Sequence, residues 1–126
     1  MLEHPAELHP ICCSEDLIDG RLGQRFEINA GATPGRGMPA FVVRSKGVAR
    51  AFFNRCAHVP VELDWQLGQF FDTNGEYLVC ATHGAQYDPQ NGRCINGPCV
   101  GQSLQPIPIV EQNGWVYWKL EKCEIK

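Results

Sequence analysis

The sequence predicts an all-β fold built from antiparallel strands. Short apolar runs alternate with turn dipeptides, and these dipeptides supply the positive backbone angles that tight hairpins need. No segment carries a sustained apolar stripe with helical spacing, so helix is limited to single turns, with candidates at Glu15 to Ile18 and Val61 to Leu67. The turn dipeptides are Asp19-Gly20, Lys46-Gly47, Asn74-Gly75, Asn91-Gly92 and Asn113-Gly114.

Each apolar run is assigned to a strand, in chain order. Residues 40–54 and 107–120 are expected to form hairpins, and the glycine-rich segment 31–37 a mobile loop. Aromatic residues are assigned to the core or to sheet faces, because strands favour them. They are Phe41, Phe52, Phe53, Trp115, Tyr117 and Trp118. The predicted strands are 25–28, 40–45, 48–54, 77–80, 86–88, 107–111 and 115–120.

Length and composition are those of an ordinary globular chain. The 126 residues, 44% hydrophobic and 20% charged, predict one domain spanning residues 1–126. The formal net charge is -3 and the basic residues are scattered, so the sequence offers no basic patch for nucleic acid. No apolar stretch reaches about 18 residues, and the N-terminus lacks the pattern of a signal peptide. We therefore expect a cytoplasmic protein without a membrane anchor.

Two short motifs carry the chemistry. Cys56-Ala-His58 is followed, after the 21 residues 59–79, by Cys80-Ala-Thr-His83. A zinc ion also accepts two cysteines and two histidines, but zinc motifs usually pair like with like, whereas here each motif supplies one of each. Mixed pairs suit two irons, one bound by two thiolates and the other by two imidazoles. Burial as small apolar side chains is the alternative reading of the cysteines.

The neighbouring residues favour a shielded metal cluster. Gly84 permits a tight loop directly after His83, and Tyr87 can offer a hydroxyl group. Gly97-Pro98 supplies a rigid third loop after the turn at Asn91-Gly92.

These motifs resemble those of the Rieske family. The residues that carry the resemblance are Cys56-Ala-His58, Cys80-Ala-Thr-His83-Gly84, Tyr87-Asp88 and Gly97-Pro98. The resemblance covers about residues 25–120 and implies an antiparallel β-sandwich with a cluster-binding subdomain inserted at about residues 55–100. It also implies one Rieske-type 2Fe-2S cluster per chain, with Cys56, His58, Cys80 and His83 as its ligands.

Two departures separate the chain from Rieske proteins of respiratory cytochrome bc complexes. Those proteins have an extra cysteine in each cluster loop, where this sequence has Val61 and Thr82, so their disulfide is not expected here. They also have a serine where this sequence has Ala85. Without that hydrogen bond to sulfur, the potential is expected in the lower part of the Rieske range of about -150 to +300 mV. The chain resembles a soluble Rieske ferredoxin more closely.

The remaining cysteines are assigned to packing. An odd total of seven, without a signal peptide, favours reduced thiols and metal ligands over a disulfide scaffold. A disulfide between Cys94 and Cys99 is sterically conceivable but disfavoured in a reducing cytosol. The cysteines outside the two motifs are Cys12, Cys13, Cys94, Cys99 and Cys123.

The resemblance implies a non-catalytic one-electron carrier, which passes electrons from a reductase to a terminal oxygenase or similar enzyme. The alternative is a small Rieske subunit of a larger reductase, such as an enzyme of the nitrite reductase type. A complete Rieske oxygenase would also need an iron held by two histidines and a carboxylate. Only His4 and His9 remain for it, in a tail that is expected to be disordered.

Overall fold

The computed structural model describes residues 8–28, 38–56, 62–64, 68–81, 84–97 and 100–119. These residues form three antiparallel sheets, with strand orders β1-β10-β9, β2-β3-β4-β8 and β5-β6-β7. They contain no helix that is long and apolar enough to cross a membrane. The strands are β1 Leu8–Cys13, β2 Gln24–Ile28, β3 Met38–Ser45, β4 Val48–Phe53, β5 Leu78–Val79, β6 Gln86–Tyr87, β7 Cys94–Asn96, β8 Pro106–Ile107, β9 Ile109–Gln112 and β10 Trp115–Lys119. The predicted all-β antiparallel fold is confirmed.

The second sheet is the middle layer, because both of its faces are buried. Along β3, Ala40 and Val42 belong to one core, and Phe41 and Val43 belong to the other. Successive side chains of a strand point to opposite faces. A run of four apolar residues, each 0% exposed, is therefore what a strand between two cores requires.

The first core joins the first and second sheets into a sandwich. Val116 and Trp118 of β10 and Cys12 of β1 pack with Ala40 and Val42 of β3. Burying such side chains contributes about 1.5–3 kcal/mol for each large one. This sandwich is the base on which the third sheet rests.

The second core lies between the second and third sheets. Phe41 stacks on Phe70 with 3.9 Å between ring centroids, and Leu78 and Tyr87 of the third sheet belong to the same core. The third sheet lies between β4 and β8 in the chain. It is thus inserted between strands of the middle layer.

The predicted hairpin turns at Lys46-Gly47 and Asn113-Gly114 are confirmed. The backbone φ values are 52° and 80° in the first turn and 54° and 81° in the second. Positive values at both central residues match the twist of the flanking antiparallel strands. The first turn connects β3 to β4 and the second connects β9 to β10.

The predicted strand 107–111 is divided between two sheets. Pro106–Ile107 pairs with β4, whereas Ile109–Gln112 pairs with β10. Pro108 stands between them and has no N–H to donate to a ladder, although its carbonyl accepts the Lys119 N–H at 3.0 Å. The chain therefore passes from the second sheet to the first at this proline.

The assignment of His9 to a disordered tail is wrong. His9 belongs to β1, which pairs with β10, and its ring stacks on Trp118 at 4.1 Å. Strand β1 contains Pro10, which is tolerated because β1 is an edge strand with an irregular register between Pro10 and Cys12.

Other predicted elements differ at their ends or lie outside the described residues. Strand β7 was not predicted from the sequence. The predicted helical turn near Glu15 is a 3₁₀ turn, Ser14–Asp16. The predicted loop 31–37 and most of the possible turn at 61–67 fall outside the described residues.

The side chain of Arg44 on β3 connects this strand to the 14–17 segment and to β9. Its guanidinium donates to the Leu17 carbonyl at 2.9 Å, to the Ser14 carbonyl at 3.2 Å and to both carboxylate oxygens of Glu111 at 2.6 and 3.2 Å. The hydrogen bonds from Arg44 hold the pKa of the Glu111 carboxyl below its usual range, against the opposing effect of burial. A bidentate pair of this kind is stronger than an ordinary surface ion pair.

Replacing Glu111 with glutamine should lower the free energy of unfolding by about 1–2 kcal/mol at neutral pH, because a charge-assisted pair becomes a neutral one. A carboxylate whose pKa is lowered on folding stabilises the protein above its unfolded-state pKa, and this effect is lost as the pH falls through the folded-state pKa. The difference between wild type and Glu111→Gln should therefore shrink below the ordinary glutamate pKa of 4.5.

Chemical unfolding of both proteins at about pH 7 and about pH 4 measures this difference. Glu27→Gln is the matched control, since Glu27 is an exposed glutamate on the edge strand β2. A difference of equal size at both pH values for Glu111→Gln would contradict the assigned ion pair.

Candidate metal centre

The two predicted cysteine ligands lie in the second core. Cys56 follows β4 and is 2% exposed, and Cys80 follows β5 and is 0% exposed. Both belong to the core between the second and third sheets. The predicted ligands His58 and His83 lie outside the described residues. The structure therefore brings the two thiols into one core and leaves the two imidazoles as predictions.

Tyr87 contacts the sulfur of Cys56. Its hydroxyl oxygen lies 3.2 Å from Cys56 Sγ, and the tyrosine is 0% exposed. Tyr87 is placed by its cross-strand pairing with Leu78, two residues before Cys80. If the thiol loses its proton, only the hydroxyl can donate in this contact, and it would then stabilise the negative sulfur. The contact agrees with the prediction that Tyr87 can offer a hydroxyl group at this place.

The loop after Cys80 is closed by two backbone hydrogen bonds. The Cys80 N–H donates to the Ala85 carbonyl at 2.9 Å, and the Gly84 N–H donates to the Cys80 carbonyl at 2.8 Å. Gly84 has φ +73°, a backbone conformation that favours glycine, and a Cβ atom there would meet nothing within 4 Å. The predicted tight turn at Gly84 is confirmed, and it returns the chain to the Cys80 backbone within four residues.

The third predicted loop packs against this second loop through bare backbone. A Cβ atom on Gly97 would lie 2.9 Å from Ala85 Cα, and Gly97 has φ +108°. Only glycine meets both conditions without a shift of the chain. Pro98, the other predicted residue of this loop, lies outside the described residues.

A buried polar network beside Cys56 was not predicted from the sequence. Asp64 has a side chain that is 0% exposed, and its Oδ1 accepts a hydrogen bond from Asn54 Nδ2 at 3.0 Å. Arg25 Nε lies 3.7 Å from the other carboxylate oxygen, Oδ2. In the sequence, Asn54 and Asp64 are simply two polar residues on either side of the first motif. Their spacing matches no known motif, so their contact could not be predicted.

The other cysteines differ in their surroundings. Cys12 lies in the first core, and burial, with the nearby Asp16 carboxylate as the next cause, raises the pKa of its thiol to about 11. Cys12 therefore keeps its proton and acts as a packing residue. Cys94 lies in the second core, and its Sγ contacts the Asn96 carbonyl at 3.4 Å. Cys99 and Cys123 lie outside the described residues.

The described residues fit a cluster that takes two thiolates. Two thiols are buried in one core, one of them touches a hydroxyl group, and the chain turns tightly at Gly84 after the other. Within the described ranges, no group of three or more potential metal-ligating side chains meets. The two imidazoles of the predicted set would have to come from residues beyond those ranges.

Comparisons with known proteins agree with this fold. Residues 8–112 match the model of the Rieske [2Fe-2S] domain family. No protein with curated annotation matches the sequence significantly.

Two ferredoxin structures are similar over nearly the whole chain. The ferredoxin of carbazole 1,9a-dioxygenase from Nocardioides aromaticivorans IC177 has a TM-score of 0.71 and 19% identity, with 92% of this chain and 100% of that chain covered. The Sphingomonas yanoikuyae B1 ferredoxin has a TM-score of 0.64 and 19% identity, with 89% and 97% covered. At such identities the likeness establishes a shared fold.

An oxygenase structure is similar over only part of its length. The terminal oxygenase of carbazole 1,9a-dioxygenase from Novosphingobium sp. KA1 has a TM-score of 0.73 and 20% identity, with 92% of this chain but 30% of that chain covered. The family match spans far more than half of the 126 residues and agrees with the two buried thiols. The chain therefore belongs to the Rieske [2Fe-2S] domain family, and its cofactor is a Rieske-type 2Fe-2S cluster.

Proposed function

We propose that the chain is a one-electron carrier, which accepts electrons from a reductase and passes them to a terminal oxygenase. The observation that carries this proposal is the pair of buried cysteines, 2% and 0% exposed, that lie in one core of a Rieske-family chain. When bound, the cluster supplies one site that takes up and releases a single electron. The protein's own task is to hold that site, shield it and present it to a partner.

The proposed ligands are Cys56 and Cys80 for one iron and His58 and His83 for the other. Each motif then contributes one ligand to each iron, as the mixed pairs require. Residues 55–100 would act as the cluster-binding subdomain within a single domain spanning 1–126. The inserted third sheet and the burial of both thiols beneath it support this division.

Described residues around the cysteines would protect and tune the cluster. The second core excludes water from both sulfurs, which limits the rearrangement of solvent when the charge changes. The Tyr87 hydroxyl, 3.2 Å from Cys56 Sγ, would donate to a sulfur that becomes more negative on reduction. Such a donor favours the reduced form.

A carrier is supported over an oxygenase by the surroundings of His9. An oxygenase needs a second iron with two histidines and a carboxylate. His9 stacks on Trp118, whose side chain packs in the first core, whereas the cysteines lie in the second core.

The proposed electron acceptor is a terminal oxygenase. A structure described as the complex of reduced oxygenase and oxidized ferredoxin in carbazole 1,9a-dioxygenase includes a chain similar to this one, with a TM-score of 0.69 and 21% identity. The alternative, a subunit of a nitrite-reductase-type enzyme, gains no support from these relatives. We also propose a cytoplasmic location, where thiols such as Cys12 and Cys13 stay reduced.

The first test of this proposal is the metal content. Purified protein should contain about two irons and two sulfides per chain, and reduction should give the rhombic paramagnetic resonance spectrum of a Rieske cluster. Cys80→Ser and His83→Ala should abolish this spectrum, because each removes a ligand. One zinc per chain without sulfide would refute the assignment.

Two matched controls separate loss of a ligand from loss of packing. Cys94→Ser changes a buried cysteine of the same core, and His9→Ala changes a histidine of the base. Both variants should keep the cluster spectrum. Retention of that spectrum by Cys80→Ser would remove Cys80 from the ligand set.

The second test is Tyr87→Phe. Loss of the hydroxyl removes a donor that favours the reduced cluster, so the midpoint potential should fall by about 40 mV, which corresponds to about 1 kcal/mol for one electron. Protein-film voltammetry measures this shift. Tyr117→Phe, which changes a buried tyrosine of β10, should leave the potential in place. An unchanged potential in Tyr87→Phe would show that this contact does not tune the cluster.

The third test concerns the carrier role. Anaerobic titration should show uptake of one electron per chain, and the reduced chain should pass that electron on without converting an organic substrate by itself. Tagged protein recovered from its native host should retain an oxygenase or a flavin reductase, bound weakly. Recovery of a large reductase chain in a fixed one-to-one complex would favour the subunit alternative and contradict the free carrier.

A further inference from the structure

The backbone of Leu63 connects the segments that carry the two cysteines. The Leu63 N–H donates to Asn54 Oδ1 at 2.8 Å, and the Leu63 carbonyl accepts the Ala81 N–H at 3.0 Å. Asn54 stands two residues before Cys56, and Ala81 directly follows Cys80. A single residue thus forms a strut between the two segments, and the position of that residue affects their separation.

Asp64 holds this strut in place. Its Oδ1 accepts from Asn54 Nδ2 at 3.0 Å, and its Oδ2 accepts from the Gly68 N–H at 2.9 Å. Because the Asn54 amide nitrogen is committed to Asp64, its oxygen must face Leu63. The carboxylate therefore selects the orientation of the Asn54 side chain on which the strut depends.

Arg25 compensates the buried charge. Its Nε lies 3.7 Å from Asp64 Oδ2, and its guanidinium also pairs with Glu62 at 2.7 Å. Arg25 lies on β2, and Asn54 is anchored by its N–H to the Pro39 carbonyl of β3 at 2.9 Å. Both Asp64, through Arg25 of β2, and Asn54, through Pro39 of β3, are therefore connected to the middle sheet.

A buried carboxylate with this many partners can serve geometry as well as stability. Apolar side chains of similar volume often replace a buried ion pair without loss of stability, so the pair is weak evidence for a purely stabilising role. A fully hydrogen-bonded polar network fixes one geometry more tightly than apolar packing does. Here the fixed geometry is that of the two cysteine segments.

We infer that Asp64 is a positioning residue for the cluster, which acts through Asn54 and Leu63 to set the separation of the Cys56 and Cys80 segments. The inference rests on the proposed function, because it takes both cysteines as ligands of one iron. Asp64 itself does not touch the iron in this account. Its effect is on the geometry of the two sulfurs, and hence on the redox and spectroscopic properties of the cluster.

Two variants test the inference. Asp64→Asn keeps the size of the side chain but places an amide against donors, so at most one of the Asn54 and Gly68 bonds survives. In Asn54→Asp with Asp64→Asn, the carboxylate and amide change places, and every hydrogen bond of the strut can form again. Val116→Ala, which opens a small cavity in the other core, is the control for general destabilisation.

The measurements are iron and sulfide content, the resonance spectrum of the reduced cluster, the midpoint potential and the thermal midpoint. Asp64→Asn should shift the g values and the potential, or lose the cluster, whereas Val116→Ala should lower the thermal midpoint and leave both properties unchanged. The exchanged double variant should restore cluster content and the wild-type g values.

The outcomes separate this inference from the proposed function. If wild type lacks two irons and two sulfides, the proposed function fails, and the inference fails with it. If wild type holds the cluster while Asp64→Asn gives unchanged g values and potential, only the inference is overturned. It is also overturned if the double variant does not regain the cluster or the g values, because that variant preserves the bonds on which the inference depends.

Discussion

Burial of both faces of the second sheet is the constraint on which the rest of the structure depends. The side chains of Phe41 and Val42 are adjacent in sequence but point into different cores. A shift of one residue in the pairing of β3 would exchange these cores, so the register of the middle sheet is strongly specified. Because Cys56 follows β4, which pairs with β3 along its whole length, that register also places the first cysteine.

Among the described residues, two polar groups stand out in and beside the second core. The Tyr87 hydroxyl contacts the sulfur of Cys56. The Asp64 carboxylate accepts a hydrogen bond from Asn54, two residues before that cysteine. An unpaired polar group is costly at such depth, and both of these groups have partners. Tyr87 and Asp64 thus place hydrogen-bonded polar groups within the mainly apolar surroundings of the two cysteines.

Local chemistry made much of the fold predictable. Lys46-Gly47 and Asn113-Gly114 carry their turn geometry in the dipeptide itself, so both hairpins followed from the sequence. Strand β1 did not, because Pro10 argues against a strand unless it is known that β1 lies at a sheet edge. The division of the predicted strand 107–111 at Pro108 could not be predicted either. Tertiary pairing decides that β8 joins the second sheet and β9 the first.

The burial of Cys56 and Cys80 in one core agrees with their prediction as ligands from the two short motifs. The link from Asn54 through Leu63 to Ala81 was not predictable, because it joins backbone and side-chain groups that only the folded chain brings together. Asp64 is ten residues from Asn54, and no local pattern connects them. Support around a motif is thus harder to predict than the motif itself.

The middle sheet also separates the side chains that pack against the base from those that surround the cysteines. Ala40, Val42 and Ala51 face the base, whereas Phe41, Val43 and Phe52 face the cysteines. Substitutions accumulating on the first side change the scaffold and leave the immediate surroundings of the cofactor as they were.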